Sequence, residues 1–371
     1  MVRFHLLQPF TTAFGKLENL DRVFVRLTTD DIEAWGEAAI DYPFSGYDAY
    51  DIYDELQKLV DNLKDRHDIE KWLSIARWPA ARAAMDMALL DLNSQLARIP
   101  LNKFLGLHTC AVRVPPLLSI SIAEKHSIVC SSAILAQKAG YIPKLKLGAG
   151  IDKDFETVAV VIESLATPSF VALDANGAYS TIEGTELAQR LAEHYGDNIV
   201  FLEQPIRTEQ AVLAMSQLVQ HMPFPVVADE SCDSLEAALQ LADAGVALNL
   251  KLSKLGGLSS CLQLLSEVTV PVMIGGTFGS DLHRAFDQLA MLALRNPLPS
   301  DAGMPVSLYF PNDNHRICSQ RNSRLGIGLN IRQLTLKELA IRSPTDEYRR
   351  IRQNRSDYEI RTGRPWDWNL A

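Results

Sequence analysis

From about residue 114 to about residue 310 the sequence repeats one pattern, a short apolar run followed by a stretch with helical spacing. The runs fall at 115–122, 142–147, 170–174, 199–203, 225–229, 246–251, 271–275 and near 298–301, with helical stretches at 128–139, 155–165, 186–194, 235–244 and 257–265. Each unit is roughly thirty residues or fewer, the size of a strand-helix-strand crossover. Eight such units predict a parallel (β/α) barrel of about two hundred residues. The rival is a doubly wound open sheet, but no Gly-x-Gly-x-x-Gly follows the first strand, so its dinucleotide-binding version has no support.

Ahead of the barrel, residues 2–10, 22–28 and 32–40 alternate in character, which reads as an antiparallel sheet turning near Asp30-Asp31. The segment from Thr11 to Leu20 is polar with one glycine and reads as a loop. Residues 48–64 and 79–98 then show helical spacing. The expected organisation is an α+β unit over 1–113, a barrel over 114–330 and a tail over 331–371. That tail mixes arginines with acids and is expected to pack on the first unit or on a subunit neighbour.

The polar residues at the strand ends carry the chemistry. Five consecutive strands end in a charge: Lys146, Asp174, Glu203, Asp229 and Lys251. In a parallel barrel the C-terminal strand ends share one mouth, so these side chains are expected to converge. A single Asp there could simply cap the next helix. Three acids on successive strands suggest more. Brought close, Asp174, Glu203 and Asp229 would repel strongly unless a cation neutralised them. Oxygen ligands without His or Cys select Mg²⁺, with Mn²⁺ as the alternative.

Lys144 and Lys146 are two apart on one strand and therefore point to the same side. Alone, they could be solvated lysines of an edge strand. In an enclosed site, mutual repulsion and lost hydration both favour the neutral amine, the form a base needs. Lys251 belongs to the sixth strand, so the three acids lie between the lysine sets, which are expected to face each other. A base on each side of one carbon could remove a proton from one face and return it to the other.

The net charge of −9 and pI near 5.4 argue against nucleic acid or an anionic membrane as partner. A small molecule is expected instead. Five scattered cysteines, no signal-peptide pattern at Met1–His5 and no apolar run of membrane-spanning length suit a reduced, cytoplasmic protein.

Taken jointly, Lys144-Leu145-Lys146, Asp174-Ala175-Asn176-Gly177, Glu203-Gln204-Pro205, Asp229-Glu230-Ser231 and the stretch from Asn249 to Gly257 resemble the enolase superfamily, in its muconate lactonizing enzyme subgroup. The resemblance covers nearly the whole chain. It implies a modified (β/α) TIM-type barrel with an N-terminal α+β capping domain, a homo-oligomer, and a Lys base working with Mg²⁺. By the resemblance, Lys146 and Lys251 are the acid and base, and Asp174, Glu203 and Asp229 hold the metal. Lys144 then helps hold a substrate carboxylate and depresses its neighbour's pKa.

The subgroup includes dipeptide epimerases, cycloisomerases, o-succinylbenzoate synthases and N-acylamino-acid racemases. The stretch from Asn249 to Gly257 looks most like the dipeptide epimerases, which makes a dipeptide the expected carboxylate substrate. Ser119 and Asn176 are further substrate-binding candidates. Asp301 matches the first residue of the Asp-x-Asp that binds a substrate ammonium in those enzymes, and Gly303 stands at the second. His283 is the alternative base of a His-using branch. A Mg²⁺-binding barrel without catalysis is the reading of another class.

Overall fold

The computed structural model describes residues 1–12, 15–29, 31–40, 46–63, 66–107, 115–207, 211–302, 318–320 and 325–331. Strands Val2–Thr12 (β1), Gly15–Thr29 (β2) and Ile32–Ala39 (β3) form an antiparallel sheet in the order β1-β2-β3. Helices Ala49–Asn62 (α1), Arg66–Ile75 (α2) and Pro79–Leu96 (α3) follow, then the short Leu101–Phe104 (α4). Helix α3 presents alanines 80, 81, 83, 84 and 88, all buried, so the sheet can approach its backbone closely. At Gly36 a Cβ would lie 1.8 Å from Ala84 O, which is why β3 carries glycine there.

The loop expected from Thr11 to Leu20 is instead ladder over its described part. β1 pairs with β2 through Phe10↔Leu17, Thr11↔Lys16 and Thr12↔Gly15, after an irregularity between His5 and Phe10. The physical reason lies in residues that suit a pleated, half-buried surface: Phe10 and Leu20 are buried, and the threonines are β-branched.

The barrel strands are Leu117–Ile120 (β4), Ile142–Lys146 (β5), Val171–Asp174 (β6), Ile199–Glu203 (β7), Val226–Ala228 (β8), Ala247–Leu250 (β9) and Val272–Ile274 (β10). They are parallel and neighbour one another in chain order. Helices His126–Lys138 (α5), Ile151–Ser164 (α6), Thr181–Tyr195 (α7), Ala211–Val219 (α8), Leu235–Asp243 (α9), Leu252–Leu255 (α10), Leu258–Glu267 (α11) and Asp281–Leu292 (α12) intervene.

The eighth expected strand is not one. Residues 296–300 close the ring with isolated bonds: Val272 N to Asn296 O, Leu298 N to Val272 O, and Leu117 N to Ser300 O, each 2.9 Å. Pro297 and Pro299 lack the N–H groups a regular ladder needs, so closure is reduced to these contacts.

Side-chain alternation divides the core in two. Leu117, Ala172, Phe201, Val227, Ala247 and Met273 cluster as a group of their own, one residue from each of six strands. Their neighbours Val171, Leu173, Leu202, Val226, Ala228, Leu248 and Leu250 belong to the larger core shared with the helices. Two residues beyond each member of the six-residue cluster the same face continues. That position is Ser119 on β4, Asp174 on β6, Glu203 on β7, Asp229 after β8, Asn249 on β9 and Gly275 after β10.

The antiparallel unit is bolted to the barrel by buried polar groups. Arg22 donates to Thr277 O (2.7 Å) and Phe278 O (3.3 Å), and its Nε lies 3.8 Å from Glu37. Glu37 accepts from Ser280 N (3.0 Å) and from the Ser280 hydroxyl. Arg22 and Glu37 are 1% and 0% exposed, so removing one strands the other in a dry interface. Arg22→Ala is expected to cost ~3–5 kcal/mol. A urea titration should show the midpoint falling accordingly, and an unshifted midpoint would mean the bolt carries no stability. No described helix is long and apolar enough to cross a membrane. The tail expected to pack on a neighbour lies, from residue 332, outside the described residues.

Candidate active site

Lys144 and Lys146 reach the barrel mouth on β5, and Lys251 follows β9 as the residue before α10. Between β5 and β9 lie β6, β7 and β8 in one direction, and β4, the closing segment and β10 in the other. The two lysine sets therefore approach from opposite walls. Both line a single cavity with Ser119, Asp174, Asn176, Asp229, Glu230, Asn249, Lys254 and Asp301. Phe10, Leu17, Leu20 and Ile40 of the antiparallel unit and Phe278 of the loop after β10 give the same cavity an apolar side.

The acids are fully or almost fully buried: Asp174 and Glu203 are 0% exposed and Asp229 3%. Each is met by an ammonium. Lys146 Nζ lies 2.5 Å from Asp174 Oδ2, and Lys251 Nζ lies 3.0 Å from Asp229 Oδ2. Lys144 Nζ is 2.7 Å from Glu203 Oε2 and 3.2 Å from both Asp174 and Asp301. Lys254 Nζ lies 2.5 Å from Asp229 Oδ1 and 2.7 Å from its carbonyl. Among the described residues no three His, Cys, Asp or Glu side chains are already drawn round one point as a metal would hold them.

The charges are felt unequally. Burial, reinforced by Asp174 and Asp229, pushes Glu203 up to about 8, with Lys144 pulling the other way. Burial would also raise Asp229 and Asp174. Lys251 and Lys254 outweigh it at Asp229 and hold that carboxyl well below the usual range, and Lys146 and Lys144 outweigh it at Asp174, whose carboxyl is lowered. Burial works to lower Lys144, but Asp301, Glu203 and Asp174 together hold it well above its ordinary value. The neutral amine expected of a crowded lysine is therefore not what Lys144 provides. Three carboxylates around one buried ammonium decide the matter.

The remaining candidates fall where expected, with partners the sequence did not reveal. Ser119 pairs with Lys144 in the ladder between β4 and β5. Asn176 sits at φ +46°, its side-chain amide donates to Glu230 Oε1 (3.0 Å), and its Oδ1 has no hydrogen-bond partner. Asp301 accepts from Gly276 N (2.6 Å) besides meeting Lys144. His283 is fully buried on α12, 3.6 Å from Asp287, and is not among the cavity's lining residues.

Four polar residues were missed. Asn249 donates to Glu203 Oε1 (2.7 Å). Gln204 accepts from Asp229 N (3.0 Å) and Ser231 N (3.1 Å), fixing how Asp229 enters the cavity. Glu230 is pushed up to about 7 by burial and by Asp229 and Asp174. Lys254 was the fourth. Strand alternation marks Asn249, two residues before Lys251, and one helical turn marks Lys254, three after it.

Opposed amines flanking acids at the mouth of a parallel barrel form the layout of a proton-transfer enzyme. Comparison with known proteins narrows the class. The mandelate racemase/muconate lactonizing enzyme N-terminal domain family matches residues 2–106, and the enolase C-terminal domain-like family matches residues 133–307. The chain belongs to the mandelate racemase/muconate lactonizing enzyme family of the enolase superfamily, and it is an isomerase.

Among relatives, the hydrophobic dipeptide epimerase of Enterococcus faecalis is 27% identical over 285 residues, covering 73% of this chain and 78% of the relative. The N-succinyl-L-Arg/Lys racemase of Bacillus cereus is 24% identical over 365 residues, 92% of this chain and 96% of the relative. The structure of the dipeptide epimerase from Cytophaga hutchinsonii complexed with Mg and D-Ala-L-Val superposes with a TM-score of 0.81. It covers 91% of this chain and 96% of that one at 24% identity, a likeness of fold.

Proposed function

We propose that this isomerase is a Mg²⁺-dependent dipeptide epimerase working by 1,1-proton transfer at the carbon next to a carboxylate. The observation that carries the reading is the opposition of Lys146 and Lys251 across one cavity, with three elements of the ring between them in either direction. An amine on each face is what inversion at carbon requires, since the proton leaves one face and a proton arrives on the other. Asp174, Glu203 and Asp229 are the residues that would hold the metal, with Mn²⁺ as a substitute. Their fit rests on three hard oxygen donors from successive strands, all buried, and on Glu203 Oε2, which has Lys144 nearby but no bond of hydrogen-bonding geometry. When bound, Mg²⁺ supplies Lewis-acid stabilisation of the negative charge that develops on a substrate carboxylate. Lys144, held charged, is placed to share that carboxylate. Ser119 is the candidate to donate to a substrate oxygen, and Asn176, whose Oδ1 has no hydrogen-bond partner, is the candidate to accept from a substrate donor.

One observation favours a second substrate, an N-acylamino acid. Asp301, the match to an ammonium-binding acid, already meets Lys144 and Gly276 N. A substrate whose nitrogen is acylated needs no such acid. One experiment decides: a library of dipeptides and N-acylamino acids is incubated with Mg²⁺ in D₂O and read by mass spectrometry and chiral chromatography. Deuterium uptake with inversion on dipeptides is the expected result. Uptake confined to N-acylamino acids would favour the second reading. A new ring or alkene would indicate a cycloisomerase or lyase, and metal binding without turnover would indicate a barrel that does no chemistry.

A further inference from the structure

The turn that follows β5 is held by a buried pair outside the cavity. Asp154, in the first turn of α6, is 3% exposed and accepts from Gly148 N (2.5 Å) and Ala149 N (3.3 Å). The hydroxyl of Tyr179, 5% exposed, donates to the same Asp154 Oδ2. Tyr179 lies in the segment after β6, and its carbonyl accepts from Arg207 N (3.2 Å), beyond β7. One carboxylate thus ties the exit of β5, two residues past Lys146, to the exit of β6, five residues past Asp174. Neither Asp154 nor Tyr179 lines the cavity.

A dry carboxylate is an expensive way to secure a turn, because its desolvation must be recovered from hydrogen bonds. It does not cap its own helix, whose N-cap is Gly150 without a side-chain bond. What it holds is a turn that would otherwise be loose, with Gly148 at φ +124° and Gly150 at φ +109°. Lys146 is the last residue of the strand leading into that turn. The Lys251 side is held separately, by Asp229 and by α10 with its left-handed Gly256 at φ +85°.

We propose that Asp154 and Tyr179 are positioning residues for Lys146, and that they govern one of the two proton-transfer faces while leaving the other alone. The proposal rests on the reading of Lys146 and Lys251 as the two bases. Its signature is asymmetry. Inversion uses both lysines, so it slows in both directions when Lys146 is displaced. Exchange of the α-proton with retention of configuration uses one lysine, so it is spared in the epimer that Lys251 serves.

The test uses full-length Tyr179→Phe, which deletes one hydroxyl, and Asp154→Asn, which weakens the acceptor, each saturated with Mg²⁺ in D₂O. Misplacing a reacting group by about 1 Å can cost about 100-fold. Tyr179→Phe is accordingly expected to lose about tenfold in inversion and Asp154→Asn about 100-fold. Retention exchange in the epimer served by Lys251 should stay within about twofold, while that in the other epimer falls with inversion. Amide hydrogen exchange at Gly148 and Ala149, read without substrate, should speed up in both variants. Equal loss of exchange in both epimers, or unaltered amide protection, overturns the positioning role and leaves the two-base reading standing. A wild-type enzyme that exchanges no α-proton overturns both. Should Asp154→Asn fail to fold, the milder tyrosine variant still decides.

Discussion

Replacing Lys146 by alanine is expected to lower inversion by about 10²–10⁴-fold, the usual worth of a positioned acid or base, and Lys251→Ala should cost as much. The two variants should nonetheless differ. With Lys146 gone, the epimer whose α-proton faces Lys251 can still exchange with solvent and keep its configuration, whereas the other epimer should be inert. In Lys251→Ala the roles reverse. NMR of each pure epimer in D₂O reads this directly. Replacing either lysine by arginine keeps the charge beside Asp174 or Asp229 but supplies a group that does not deprotonate, so it should abolish exchange on the same face. Were both alanine variants to spare the same epimer, the lysines would not serve opposite faces and the two-base reading would be lost.

The reach of the sequence follows from what is local and what is not. Seven strands could be read because buried apolar runs are a local property. The eighth run reads as a strand by its place in the repeat, but Pro297 and Pro299 on either side of Leu298 withhold the donors a ladder needs, and the withheld donors win. Asp174, Glu203, Asp229 and the lysines could be read because strand ends converge in any parallel barrel. Their pairing could not: which ammonium meets which carboxylate depends on side chains from different strands. Lys144, expected to be pushed toward neutrality by Lys146, is instead fixed as a cation by Asp301, Glu203 and Asp174. The place of Phe10 and Phe278 in the cavity was not legible for the same reason. Phe10, 5.1 Å from Phe278 and 6.0 Å from Lys146 Nζ, is brought there by the docking of one unit on the other.

That pairing also shapes what metal binding must do. Lys146 neutralises Asp174, and Lys251 and Lys254 neutralise Asp229, so a cation held by these acids would compete with ammonium groups for the same oxygens. Two substitutions separate coordination from stability. Glu203→Gln and Asp229→Asn should each abolish Mg²⁺ binding by calorimetry and reduce turnover below about one part in 10³, since an acid of the hard-oxygen set is gone.

In the metal-free protein the same two substitutions should diverge. Burial beside Asp174 and Asp229 pushes Glu203 up to about 8 in the folded protein, so the folded state binds its proton more tightly than the unfolded chain does. Its contribution therefore lowers stability as pH rises from about 4.5 to about 8, and glutamine should remove that slope without weakening the protein at neutral pH. Asp229 is shifted the opposite way, so its contribution is present at neutral pH and lost only on strong acidification. Asparagine there leaves Lys251 and Lys254 without their counter-charge and should cost ~3 kcal/mol. Thermal unfolding between pH 5 and pH 8, run with EDTA and then with Mg²⁺, checks both. Mg²⁺ should stabilise the wild type more at pH 8 than at pH 6, because Glu203 must lose its proton to coordinate, and should leave both variants unmoved. A wild type stabilised equally at the two pH values would mean that Glu203 releases no proton when the metal binds.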